Sequence, residues 1–308
     1  MTILCLFSGQ GYQEQHLFKL FEGNQQALEL LHEFSNVASL DFTQPTLPIT
    51  DPQYSQLIIG SYQLILFWLL KPLLAAHRLD FAGYSLGEVS AFLASTKASA
   101  AIAYQVLSYR TELMTSLLKQ YPNNKYDLLS VRATVSLEEI NLLCARHECF
   151  IAIINVEHHF VIGGTLPNLK KLQLELSQNY LNVSKFLAIN LPSHTPLYRE
   201  QKGLLKKFLS PLNLETLHYP ILSPIKLTKI FASVGEQALL DQELYTTIQW
   251  DKICNLITEY QYDLIIDLGP GQAMTDFLNL TNNKLTILTL SQFKSIKGIM
   301  TAVMNHLS

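Results

Sequence analysis

The sequence predicts an α/β protein: a large domain around a mostly parallel sheet, with a small ferredoxin-like domain inserted into it. Three observations predict this. Continuous apolar runs alternate with helical patterns along most of the chain, as in parallel sheets covered by helices. From 126 to 188 the texture changes to a β-α-β-β-α-β order, the ferredoxin-like signature. GYSLG (83–87) is a G-x-S-x-G turn between a buried run and a helix, the pattern of a nucleophile elbow.

The elements follow in order. ILCLF (3–7) is wholly apolar and ends at Ser8-Gly9, so it reads as a buried parallel strand entering a Gly-rich loop. Helical patterns follow at 24–34, 54–76, 86–94 and 98–119, and Pro122-Asn123-Asn124 breaks the chain. In the insert, LLSVRAT is a strand and SLEEINLLCAR a helix with Ser136 and Glu139 as a capping box. FIAIIN and HFVIGGT are two strands joined by a turn, LPNLKKLQLELSQ is a helix and SKFLAIN a last strand. Helical patterns resume at 195–209 and 236–259. The strand DLIIDL (263–268) ends in Gly269-Pro270-Gly271, and a helix, the strand LTILTL (285–290) and a final helix complete the chain. The expected domains are 1–125 with 189–308 (large) and 126–188 (small).

Composition excludes several classes. Of 308 residues 48% are hydrophobic and 15% charged, so a substantial core is available. A net charge of −3 gives no support for nucleic-acid binding. The N-terminus lacks a basic segment and a long apolar core, which predicts no signal peptide. LIIGSYQLILFWLL (57–70) is too short and too polar for a membrane span and is expected to be a buried helix. Four cysteines in a chain of this size point to a reduced, cytoplasmic setting. His147 in CARHEC lacks a second ligand pair, so no metal site is expected.

The elbow lifts Ser85 clear of the sheet beside a helix N-terminus, and a Cβ at Gly83 or Gly87 would meet the crossing backbone. A serine hydroxyl needs a base. Of nine histidines, His194 in LPSHTPLY follows an apolar strand, sits at a chain reversal and precedes a helical pattern. The pairing of Ser85 with His194 gives acyl transfer by a covalent route.

Several motifs share one resemblance. They are GQGYQ (9–13), Gln56, GYSLGE (83–88), Arg110 in SYRTELM, INVEHHFVIGG (154–164), SHTPLY (193–198), IQW (248–250) and GPG (269–271). In this order the chain resembles the malonyl-CoA:acyl-carrier-protein transacylases over nearly its whole length. The spacings agree: Arg110 lies 25 residues after Ser85, and His194 lies 109 after it. Tyr84 stands where fatty-acid-synthesis members usually have histidine, and Ser8 where they usually have proline. With these departures the chain looks most similar to the malonyltransferase (epsilon) subunit of malonate decarboxylase.

The resemblance implies a hydrolase-like acyltransferase fold for the large domain, and roles for particular residues. His194 would be oriented by the backbone carbonyl of Gln249 rather than by a carboxylate. The oxyanion donors would be the N–H groups of Gln10 and Leu86. Arg110 would bind the malonyl carboxylate in a bidentate fork, with Gln56, Met114 and Ser193 lining the acyl site. The substrate would be malonyl-CoA, with no bound cofactor. The partner would be an acyl carrier protein bearing a phosphopantetheine-type arm, alongside other malonate decarboxylase subunits on the closest resemblance. Arg199, Lys202, Lys206 and Lys207 form a basic run after His194, and helical spacing would put Lys202 and Lys206 on one face for carrier docking.

Three alternatives stand beside this reading. One is a malonyl transacylase of fatty-acid or polyketide synthesis, from which Tyr84 and Ser8 depart. An α/β-hydrolase expects serine, acid and then histidine near the C-terminus, and the early Ser85 with an insert before His194 does not follow that order. A non-catalytic scaffold would have lost Ser85, His194 or Arg110, and all three are present.

Overall fold

The computed structural model describes residues 1–11, 15–44 and 46–308. In chain order the strands are β1 (Thr2–Phe7), β2 (Arg78–Gly83), β3 (Tyr126–Ala133), β4 (Phe150–Val156), β5 (His159–Thr165), β6 (Asn182–Phe186), β7 (Ile221–Ser223), β8 (Thr228–Ile230), β9 (Ile248–Gln249), β10 (Leu264–Asp267) and β11 (Ile287–Thr289). The helices are α1 (Gln25–Ala38), α2 (Pro52–Leu74), α3 (Leu86–Ser95), α4 (Ala100–Gln120), α5 (Leu137–Arg146), α6 (Leu166–Asn179), α7 (Leu204–Leu209), α8 (Ser233–Glu243), α9 (Trp250–Tyr260), α10 (Ala273–Thr281) and α11 (Ile296–Leu307).

The large sheet has the order β11-β10-β1-β2-β7-β8. Its strands pair in parallel except at the β7–β8 edge, which is antiparallel. β1 is buried at every position from Ile3 to Phe7 because helices cover both faces of the sheet. Helix α2 is apolar nearly all round and buried along its length, which is what a helix inside a core requires. By length and apolarity it could cross a membrane, but here it packs within the protein. Asp51 caps α2, its side chain accepting from the Gln53 N–H, and Pro52 occupies the first turn.

The small sheet has the order β6-β3-β5-β4-β9. Its first four strands form the ferredoxin-like arrangement expected for the insert, and their pairings are antiparallel. The capping box is present: Ser136 N–H donates to Glu139 Oε2 at 2.9 Å, and Glu139 N–H to Ser136 Oγ at 3.2 Å. α5 and α6 bury Ile140, Leu143, Leu169, Leu172 and Leu176 with Leu129, Val131 and Ile162 in a second core.

Three features differ from the sequence expectation. β9 lies far outside 126–188, yet it pairs in parallel with β4, Ile153 opposite Ile248 and Ile154 opposite Gln249. It extends the small sheet past the β4 edge, whose backbone groups need partners. The strands β7 and β8 are three residues each, too short for a periodic signal. The helix expected over 195–209 is two pieces, a 3₁₀ turn (Pro196–Gln201) and α7, separated by Gly203 at φ 85°. That left-handed residue breaks the helix, so Lys202 and Lys206 do not share a helical face.

The loops that leave β1, β2 and β10 meet at the carboxyl ends of these parallel strands, where open α/β sheets bind ligands. Gln63 holds two of them together, its Nε2 donating to the carbonyls of Ser8 and Gly269, both at 2.7 Å.

Candidate active site

Ser85 follows β2 directly and precedes the first turn of α3, at φ 55° and ψ −113°. The turn is held by the Tyr84 N–H donating to the Phe7 carbonyl and the Gly87 N–H to the Tyr84 carbonyl, both at 3.0 Å. Glycine is required on either side of it. A Cβ on Gly83 would lie 2.1 Å from the Glu88 nitrogen, and one on Gly87 would lie 1.9 Å from the Phe7 carbonyl oxygen. This is the backbone crowding that the G-x-S-x-G pattern predicts. The strain at Ser85 is of the kind concentrated at reactive positions.

His194 reaches Ser85 from the loop after β6. Its own φ is 62°, and it is 1% exposed. Its N–H donates to the Leu244 carbonyl at 2.9 Å. Ser85 Oγ and His194 Nε2 lie 2.7 Å apart, and His194 Nδ1 lies 2.7 Å from the Glu243 carbonyl oxygen. A carbonyl only accepts, so Nδ1 carries the proton and Nε2 is left as the acceptor for the serine hydroxyl. Burial, followed by the charge of Arg110, pushes the imidazole down to about 3, so it is neutral at physiological pH.

The orienting carbonyl is therefore that of Glu243, not of Gln249. Gln249 lies in β9, and its N–H donates to the Pro224 carbonyl at 3.3 Å. Glu243 is the last residue of α8, and the last four carbonyls of a helix lack intrahelical partners. His194 satisfies one of them. The negative end of the α8 dipole also favours an imidazolium at this position.

Arg110 projects from the middle of α4 and is 2% exposed. Its Nη1 donates to Gln56 Oε1 at 2.5 Å and its Nη2 to Ser85 Oγ at 3.2 Å. Gln56, on α2, donates its Nε2 to Met114 Sδ at 3.1 Å. The Met114 carbonyl accepts from the Tyr198 hydroxyl at 3.0 Å. Among the described residues no carboxylate lies within ion-pair distance of Arg110. A buried guanidinium with only neutral partners is costly, and this one stands beside Ser85.

The remaining expected residues fall as follows. Ser193 is buried next to His194. Leu86 opens α3, so its N–H has no helical carbonyl to bond. Gln10 lies in the loop after β1, its Nε2 donating to Ser55 Oγ at 2.9 Å. Tyr12 and Gln13 of the GQGYQ motif lie outside the described residues. Arg199, Lys202, Lys206 and Lys207 are all exposed. His147 pairs with Glu175 at 2.5 Å rather than with its neighbouring cysteines. Among the described residues no group of three or more His, Cys, Asp or Glu side chains could hold a metal.

Sequence reasoning missed an acidic group behind the dyad. Glu88, Glu236 and Glu243 are 0%, 0% and 2% exposed, and among the described residues no group outside the three donates to any of their six oxygens. Glu88 faces the other two, and carboxyls can pair with one another only by sharing a proton. Burial raises all three above the ordinary carboxylate range, Glu236 to about 8. Glu243 Oε1 is also 3.7 Å from His194 Nδ1. One signal was available: Glu236 and Glu243 are seven residues apart in α8 and so share a helix face.

A cleft of about 610 Å³ lies between the two sheets, lined by Tyr84 but not by Ser85, His194 or Arg110. Gly9, Gln10 and Tyr84 line it from the large domain, and Asn155 and His159 from the small one.

Comparison with known proteins agrees with the fold and extends over the whole chain. No family model matches. The malonyl CoA-acyl carrier protein transacylase of Buchnera aphidicola subsp. Schizaphis graminum is 21% identical over 309 residues, covering 96% of each chain. That of Buchnera aphidicola subsp. Baizongia pistaciae is 24% identical over 313 residues, covering 96% of this chain and 97% of its own. Among solved structures, the malonyl-CoA:acyl carrier protein transacylase of Helicobacter pylori superposes with a TM-score of 0.89 at 22% identity, covering 100% of this chain and 99% of its own. A malonyl-transacylase solved in complex with a type II polyketide acyl carrier protein has a TM-score of 0.87 at 19% identity, covering 99% of this chain and 100% of its own. The fold is that of an acyltransferase. Over nearly its whole length the chain is similar to malonyl CoA-acyl carrier protein transacylases.

Proposed function

We propose that this protein transfers a malonyl group from malonyl-CoA to the thiol of an acyl carrier protein through a malonyl-Ser85 intermediate. The observation that carries the reading is the buried Arg110, donating to Ser85 with no carboxylate partner among the described residues.

In the first half-reaction Ser85 Oγ attacks the thioester carbonyl while its proton passes to His194 Nε2. The carbonyl oxygen becomes an oxyanion, held by the N–H groups of Gln10 and Leu86. Collapse expels the CoA thiol, which takes the proton from His194. In the second half-reaction the carrier thiol gives its proton to His194 and attacks the ester, returning Ser85 to its hydroxyl form. Arg110 pairs with the free malonyl carboxylate throughout, held in place by Gln56, with Met114 and Ser193 completing the acyl site. That carboxylate also offsets the Arg110 charge that depresses His194, which makes the imidazole a better base once substrate is bound. The 610 Å³ cleft supports entry of a long thiol arm, and the exposed Arg199, Lys202, Lys206 and Lys207 suit an acidic carrier.

Intact-protein mass spectrometry after mixing with malonyl-CoA tests this reading. One malonyl adduct is expected on the wild-type chain and none on Ser85→Ala. An adduct that persists on the variant sinks the assignment.

The relatives favour the carrier protein of fatty-acid or polyketide synthesis. A second reading, charging the phosphoribosyl-dephospho-CoA arm of the malonate decarboxylase carrier within that enzyme's subunits, is favoured by Tyr84 in GYSLGE. Transfer rates to the two purified carriers separate them, the true carrier being the one malonylated faster.

A further inference from the structure

Tyr84, the residue before Ser85, touches four separate parts of the molecule. Its ring lies against Gly9, where a Cβ would come within 2.6 Å of Tyr84 Cδ1. Trp250 meets the ring edge-on with centroids 5.3 Å apart, and Phe277 stacks on it at 6.3 Å. Its hydroxyl donates to Asn155 Oδ1 at 2.7 Å. Asn155 belongs to β4 of the small sheet and is 2% exposed. Its Nδ2 lies 3.5 Å from His159 Nε2, which in turn meets Ser130 Oγ at 3.0 Å. Burial pushes the Tyr84 phenol well above its ordinary value, so it remains a hydrogen-bond donor at any working pH.

We propose that Tyr84 is a positioning residue that ties the Gly9–Gln10 loop to the small sheet, so that the seat of Asn155 sets where the Gln10 N–H stands at the reaction centre. The inference rests on the proposed role of Ser85 as acylated nucleophile and of Gln10 as oxyanion donor. Gly9 has no side chain with which to anchor itself, and the ring of Tyr84 is the wall it packs on. An oxyanion donor works only within roughly 2.7–3.1 Å of the developing charge. A shift of a few tenths of an ångström in that wall therefore changes the barrier. Trp250 and Phe277 limit the ring from the sides, and the bond to Asn155 fixes its tip. Because Asn155 stands across the cleft, the small sheet and the oxyanion loop move as one unit while this bond is made.

The oxyanion exists only in the transition state, so the effect belongs in the rate of acylation and not in substrate binding. The test measures the single-turnover acylation rate and KM with malonyl-CoA, and the melting temperature, for the full chain and three variants. These are Tyr84→Phe, Asn155→Leu and the double substitution. Each single variant is expected to acylate about threefold to tenfold more slowly, the worth of one neutral hydrogen bond. KM should stay within about twofold. The double variant should be no slower than the slower single one, since both remove the same bond. The proposal is overturned by unchanged acylation, with or without a lower melting temperature. It is equally overturned by a loss confined to KM, or by a double variant whose loss is the product of the two single losses. Absence of any malonyl adduct on the wild-type chain would instead overturn the proposed function, so the two failures are distinguishable.

Discussion

Replacing Arg110 by alanine removes a cation that is 2% exposed and donates to both Gln56 and Ser85. Two losses follow, and they separate by substrate. Every acyl donor loses the 3.2 Å contact from Nη2 to Ser85 Oγ, which costs malonyl and acetyl transfer alike. Malonyl alone also loses the partner for its carboxylate in a site with little water. Leaving a buried charge unpaired costs about 2–5 kcal/mol. At about 1.36 kcal/mol per tenfold, malonyl transfer falls by a further factor of roughly 30 to several thousand. The ratio of malonyl to acetyl kcat/KM isolates this second loss. Arg110→Lys should fall between, because it keeps the charge and loses the fork. The assay follows acylation from malonyl-CoA and acetyl-CoA in parallel, with melting temperatures to show that the variants fold. Equal losses for the two donors would refute the reasoning and leave Arg110 a structural residue.

His194→Ala should slow transfer by roughly 10²- to 10⁴-fold; near-wild-type turnover would mean that another group serves as base. With the imidazole held down to about 3, the acid limb of kcat/KM for acylation should lie well below the ordinary histidine value. A half-point near 6.5 in that profile would contradict the depressed value. Glu236 has its folded value raised from 4.5 to about 8, so the fold holds this proton more tightly than the unfolded chain. Its stability contribution is present below about 4.5 and declines as pH rises towards 8. Glu236→Gln should flatten that decline in melting temperature, and an unchanged pH profile would show that the group is not the one titrating.

Local sequence determined the parts of this protein that are local in space. Gly83, Ser85 and Gly87 build a turn whose requirements lie within five residues, and the backbone that crosses Gly87 only confirms them. The Ser136–Glu139 box caps α5 through contacts three residues apart. The wholly apolar ILCLF, ended by Ser8-Gly9, reads as a buried strand, and β1 is one. The β-α-β-β-α-β order of the insert was legible from periodicity because each of its strands runs for five residues or more.

Tertiary structure decided the rest, for identifiable reasons. Histidine at 194 meets serine at 85 because a loop after β6 crosses to the carboxyl end of β2, and periodicity carries no information about such a crossing. The carbonyl that orients it belongs to Glu243 and not Gln249, because the acceptor is a helix-end backbone group and every residue has one. β7 and β8 are too short to show a period, and β9 joins the other domain's sheet through backbone pairing that side chains do not encode. The helix face shared by Glu236 and Glu243 was legible, but not that Glu88 joins them or that burial raises all three carboxyls above their ordinary range. Burial is a property of the packed chain, and it exists only once α3 and α8 have met.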